Sequence, residues 1–352
     1  MSKRRILISV LVAAVLAGLV YWQIHNWRKF DWHKFADQTS SVNWWMIIGA
    51  VALIYAADTL RAFRWSIFLR PVKPVHPFRL IAPQFIGFAG LALLGRPGEL
   101  IRPYIIAKKE NLGLPSQMAV WTVERIFDTG AVTLLLSLDL GFSDSLKDLD
   151  QFVAIRQAGL VLIGLVILGI LVAFLLRRHG AKIAAWVERR FKRLPSLGGL
   201  ISGKIQNFSE GLNTIHNLRS LALASIISVV IWCLVVCAYR LVTHSYHDDS
   251  LNDLGFSEVI VLMLVSVAGG ILQLPVVGGG SQLATIAVLK VVFDISPELA
   301  TSCGILLWLV TFVSVTPLGL LLARREHVSF LKLAEQEERA ELAHAGKPSG
   351  PS

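Results

Sequence analysis

Charged side chains are scarce in this chain. Asp, Glu, Lys and Arg make up 16% of its 352 residues, against about 25% in an average soluble protein. That shortage excludes an ordinary soluble enzyme, and it equally excludes a disordered chain, which needs high charge and little hydrophobic content. Cysteine is almost absent. Cys233, Cys237 and Cys303 all lie inside apolar runs, so they form no secreted disulfide framework and read as small packing residues. No His-Glu-x-x-His, Cys-x-x-Cys or Gly-x-Ser-x-Gly occurs, and no Lys follows a glycine loop in nucleotide-binding spacing. No cofactor and no metal site is expected. His244 and His247 beside Asp248 and Asp249 read as a solvated loop.

What is abundant is apolar sequence. Hydrophobic residues reach 54%, and the mean hydropathy is +0.61. The composition predicts an all-α, polytopic membrane protein. The net charge of +10 reflects sorting across a membrane rather than nucleic-acid binding, and none is expected.

Long apolar runs occupy Ile6–Ile24, Val42–Leu60, Val120–Leu140, Gly159–Leu176, Leu221–Val242 and Leu299–Ala323. Each is long enough to cross a core of about 30 Å. The first follows Lys3, Arg4 and Arg5 without a small-x-small cleavage site, and reads as an uncleaved signal anchor. Two regions are irregular. Ile81–Leu94 is short and meets Gly95-Arg96-Pro97-Gly98. Glu258–Leu274 meets Pro275 and then Gly278-Gly279-Gly280, after which Leu283–Phe293 is short again.

Lys and Arg sort strongly: 26 of the 34 fall on one side of this arrangement and five on the other. The positive-inside rule makes the basic side cytoplasmic, with both termini there. The irregular regions must then start and finish on one side each, the first inside and the second outside. The expected architecture is about six full spans plus two re-entrant hairpins in repeats of opposite topology, a pattern that puts a binding site where broken helices meet. Ordinary short spans in pairs are the alternative. The expected division is a signal anchor and external loop over 1–41, a membrane domain over 42–322 and a tail over 323–352. Within the membrane domain, repeat one covers about 42–140, repeat two about 221–322, and a basic amphipathic linker 177–219.

Charges inside apolar runs need partners. Arg61 and Arg64 share a face near the cytoplasmic end of their span. Arg96 and Arg102 flank Glu99 in a loop of helix breakers, where guanidinium forks suit a phosphate. Glu124 and Asp128 lie four apart, with Arg125 between them. These residues form either an acid–base cluster shaping a polar cavity or a salt-bridge network holding the hairpin. At the second hairpin, Gly278, Gly279, Gly280, Ser281 and Gln282 let backbone amides approach an oxygen ligand.

The first two motifs carry a resemblance. Leu94-Gly95-Arg96-Pro97-Gly98-Glu99-Leu100-Ile101-Arg102-Pro103 and Val123-Glu124-Arg125-Ile126-Phe127-Asp128 resemble the signature of the flippase-like family that includes the membrane domain of lysylphosphatidylglycerol synthetases. The resemblance covers roughly 42–322, and Pro275–Gln282 stands where that family has a Pro-Gly-Gly-rich hairpin. Here Gly278 replaces the second proline, Gln282 replaces a glycine, and no acid follows nearby. The chain ends shortly after its last span, so lysyl transfer is not expected.

The resemblance implies movement of a phosphate-headed lipid or lipid-linked intermediate, with anionic phospholipid or polyprenyl-phosphate lipids as partners and a homo-oligomer possible. The expected location is a bacterial or archaeal cytoplasmic membrane. A membrane-embedded transferase and a scaffold for lipid synthesis are the rival readings, although no catalytic motif supports an enzyme.

Overall fold

The computed structural model describes residues 31–142, 218–270 and 279–326, with scattered helical positions between 153 and 189. The expected first span, most of the basic linker, the end of the tail and Gly278 lie outside the described residues. Every regular element among those described is helical.

In chain order they are α1 (Trp32–Ser40), α2 (Trp44–Leu69), α3 (Pro77–Leu94), a 3-10 turn (Arg96–Leu100), α4 (Ile101–Glu110) and α5 (Leu114–Phe142). After the gap come α6 (Leu218–Thr243), the short α7 (Asp249–Asn252), α8 (Phe256–Gly269), α9 (Gly279–Val291), α10 (Pro297–Trp308), a π segment (Leu309–Val313) and α11 (Thr316–Arg325). Among the described residues, four stretches are long and apolar enough to cross a membrane: Trp44–Leu69, Pro77–Leu94, Arg219–Thr243 and Pro297–Arg325.

Local chemistry sets the ends. The Asn43 side chain accepts from the Trp45 amide at the start of α2, the ordinary N-cap bond. Pro77 opens α3, where its missing N–H costs nothing. Gly95 ends that helix at φ 70°, a conformation that glycine adopts without a Cβ penalty. Asn111 closes α4 in the left-handed region.

Several elements differ from the sequence reading. The stretch expected as an external loop contains α1, capped by Asp31 and docked on α10 through a Thr39–Ser302 hydroxyl pair at 2.8 Å. Helix α2 runs nine residues beyond Leu60 because its charged end finds buried partners. Helix α3 has 18 residues, about 27 Å at 1.5 Å per residue, so its length equals that of a short span rather than a half-span. Helices α8 and α9, with 14 and 13 residues, are the shorter pair.

The main apolar core gathers α2, α6 and α8 to α10, with Ile54, Ile231, Leu262, Leu289 and Leu307 fully or nearly buried. A smaller core at the other end of α2 contains Trp65, Phe68, Leu80, Ile106 and Val120. Helices α3 and α4 fold onto each other, as do α8 and α9. Helix α11 lies against α3 at Gly319, where a Cβ would come within 2.4 Å of the Phe85 carbonyl oxygen and 2.5 Å of the Ala89 Cβ. Backbone cannot yield there as a side chain can. Gly319→Val should therefore part α3 from α11 and lower the melting temperature in detergent, while an unchanged melting curve would refute this close approach.

Candidate functional site

Helices α2, α5 and α6 converge on a buried charge network. Arg64 of α2 is fully buried. It donates to Glu124 at 2.8 Å, to Asp128 at 2.7 Å and to the Ser228 hydroxyl at 2.6 Å. Arg102 of α4 reaches the same Glu124 from the hairpin, donating to both carboxylate oxygens, and to Gln84 at 2.7 Å. Its guanidinium lies 4.3 Å over the Trp65 ring. Asp128 also accepts from the Trp232 indole at 3.2 Å. The network thus touches both apolar cores, Trp65 on one side and Trp232 on the other.

Spacing on α5 explains the convergence. Glu124 and Asp128 are one turn apart and face the same way, and both meet Arg64. Each charge alone would cost about 2.5–3.5 kcal/mol at the middle of a membrane helix; mutual pairing removes most of that cost. Arg125 joins the same carboxylates more loosely. Its side chain is 45% exposed and lies 3.6 Å from both Glu124 and Asp128.

Beside the network lies a cavity of about 220 Å³. One part of its wall is charged: Asp58 and Arg61 from α2, Glu99 from the turn, Arg102 from α4, and Arg125 and Asp128 from α5. The rest of the lining is neutral. There the Tyr239 hydroxyl donates to Ser266 at 3.0 Å, and Ser266 pairs with Ser281 at 2.9 Å. Gly87, Leu91, Gly270 and Phe312 are among the other lining residues. Both helical hairpins therefore contribute wall.

The residues singled out from sequence fall into three groups. Arg61, Glu99, Arg102, Arg125, Asp128 and Ser281 line the cavity. Arg64 and Glu124 sit behind its wall and hold it. Gly279 and Gly280 open α9, Gly279 at φ 55°, and Gln282 follows on the same helix away from the lining. Arg96 opens the 3-10 turn through its backbone. Arg61 and Arg64, grouped on one face by spacing, part company: Arg61 turns to the cavity and Arg64 into the protein.

Asp58, Trp232, Tyr239 and Ser266 line the cavity without having been singled out as binding residues. Asp58 carried a usable signal, a carboxylate inside an apolar run. The other three look like ordinary residues of an apolar helix and offered none.

Residues 6–319 match the family described as the lysylphosphatidylglycerol synthase TM region. The chain belongs to that family. The match includes all of the charge network and both hairpins. A UPF0104 membrane protein of Methanothermobacter thermautotrophicus is 25% identical over 294 residues, covering 78% of this chain and 82% of the relative. No solved structure matches the chain. Membership agrees with the resemblance carried by Gly95–Pro103 and Val123–Asp128, and fixes a multi-pass membrane setting for the cavity.

Proposed function

We propose that the chain moves a phosphate-headed lipid or lipid-linked intermediate between leaflets of a cytoplasmic membrane. The headgroup enters the cavity and the acyl chains remain in the bilayer. The observation that carries the reading is the cavity itself, six charged side chains set among neutral ones, with walls drawn from both hairpins.

The pattern of packing supports the inverted-repeat arrangement that this mechanism needs. Pair α2 with α6, α3 with α8, α4 with α9, and α5 with the α10–α11 stretch. Then α2 on α3 corresponds to α6 on α8, α4 on α5 to α9 on α10, and α3 on α11 to α8 on α5, and all of these contacts occur. Together with the opposite charge sorting of the two units, this favours pseudo-two-fold repeats with a site between them. The basic ends face the cytoplasm in this reading. Phosphate-headed membrane lipids are the partners, and transport rather than catalysis is the activity.

Arg125 is the residue best placed to test it. It lines the cavity, is half-exposed, and is not among the fully buried groups. Arg125→Gln should slow lipid flipping in proteoliposomes at least tenfold, about 1.4 kcal/mol, with the melting temperature nearly unchanged. Flipping at the wild-type rate would reject this site. Arg102 is less informative, because its loss would first leave Glu124 short of a partner.

A further inference from the structure

Most donors and acceptors of the network are committed to one another. One pair in the cavity wall is not. Asp58 and Arg61 lie one turn apart on α2, joined by a single bond of 3.1 Å between Arg61 Nη1 and Asp58 Oδ1. Among the described residues, the remaining carboxylate oxygen, Asp58 Oδ2, has no hydrogen-bond partner, and neither has Arg61 Nε. Both side chains are buried, with Asp58 3% and Arg61 11% exposed. Both line the cavity. The guanidinium is fixed by two rings, lying 5.4 Å over Phe88 of α3 and 5.7 Å over Trp232 of α6.

Asp58 Oδ2 and Arg61 Nε are both closed off where they stand; a buried polar atom left unpaired costs free energy that a ligand recovers when the pair opens and the ligand supplies the partner. Here two such atoms of opposite character sit side by side. Arg61 offers a donor to an anionic oxygen. Asp58 offers an acceptor to an N–H or O–H group. A bare anion would satisfy Arg61 and face the Asp58 carboxylate with like charge, which selects against it.

We infer that the Asp58–Arg61 pair is a split recognition site: Arg61 takes the phosphodiester of a lipid headgroup, and Asp58 takes a hydrogen-bond donor on that same headgroup. The donor is a hydroxyl, as on a glycerol, or an ammonium, as on an ethanolamine. The inference rests on the transport reading above and narrows its cargo to phosphodiesters that carry a donor close to the phosphate. Asp58 is then the selecting residue and Arg61 the one common to all cargo.

Three lipids with identical acyl chains test it. Phosphatidylglycerol and phosphatidylethanolamine carry donors. Phosphatidylmethanol has the charge of phosphatidylglycerol and no donor beyond the phosphate. Each is titrated into the delipidated full chain and followed by native mass spectrometry. The wild type should bind at least one donor-bearing lipid tenfold more tightly than phosphatidylmethanol. Preference for phosphatidylglycerol identifies the hydroxyl, and preference for phosphatidylethanolamine the ammonium.

Asp58→Leu, which removes the acceptor, should level the three, and Arg61→Gln should weaken all of them together. Equal binding of phosphatidylmethanol and both donor-bearing lipids by the wild type overturns the inference, as does a preference that survives Asp58→Leu. The wild-type comparison needs no variant, so a poorly folding substitution does not shield the inference. Wild-type binding of none of the three, together with unchanged flipping in Arg125→Gln, would instead reject the transport reading on which it stands.

Discussion

Glu124→Gln should destabilise the protein by about 3–5 kcal/mol, the usual result of removing one partner from a buried ion pair. A whole domain is commonly stable by only about 5–15 kcal/mol, so the variant should express poorly and melt early in detergent. The size follows from Glu124 serving two arginines. Arg64 and Arg102 both donate to it, from helices far apart in sequence, and an amide cannot neutralise either. A double-mutant cycle gives the sharper check. Arg64→Gln together with Glu124→Gln should lose clearly less stability than the sum of the two single changes, because either change alone already breaks the ion pair they share. Strict additivity, or a wild-type melting temperature for Glu124→Gln, would show that the network does not hold the helices together.

Gly98→Ala should have a comparable effect by a different route. A Cβ at this position would lie 2.1 Å from the Gly90 carbonyl oxygen and 2.2 Å from the Gly90 carbon. Both are backbone atoms inside α3, so relief requires the 3-10 turn to move away from the helix. Glu99 and Arg102 follow within four residues and would be carried out of the cavity wall. Gly130→Ala is the matched control, since nothing lies within 4 Å of a Cβ there. In a helix interior it should add about 0.5–1 kcal/mol of stability. Gly98→Ala should therefore melt lower and lose lipid binding, while Gly130→Ala melts the same or higher. Equal behaviour of the two would show that the turn does not pack so closely on α3.

Much of the helical order was readable from the apolar runs, because a run of that length in lipid leaves the backbone no choice but a helix. The ends were less readable. Arg61 and Arg64 closed the apolar run of α2, yet the helix continues to Leu69, since buried carboxylates on α5 and on its own preceding turn meet those charges. The alternation of polar and apolar residues between Asp31 and Ser41 hid α1, whose helix depends on the Asp31 cap and its seat on α10.

The site was half legible. That Glu124 and Asp128 must face inward and find cations followed from their cost in lipid. Which cations they take did not, because the pairing depends on how α2, α4 and α5 cross. Arg64 and Arg102 win, and Arg61 is left with Asp58. The neutral wall was illegible, for serine and tyrosine in apolar helices occur in many roles.

Six charges around the cavity balance. Arg61, Arg64 and Arg102 are matched by Asp58, Glu124 and Asp128, each of the six paired with another member of the set. An electric field across the bilayer does work of about 2.3 kcal/mol on each unit charge moved through 100 mV, but a displacement of these six groups as one body carries no net charge, and Arg125 and Glu99 of the same wall add one cation and one anion. Under the proposed transport, the scaffold would be electrically silent as the cavity changed its accessible side. Any current that accompanies turnover then belongs to the headgroup and its counter-ion, and its sign reports directly what is being carried.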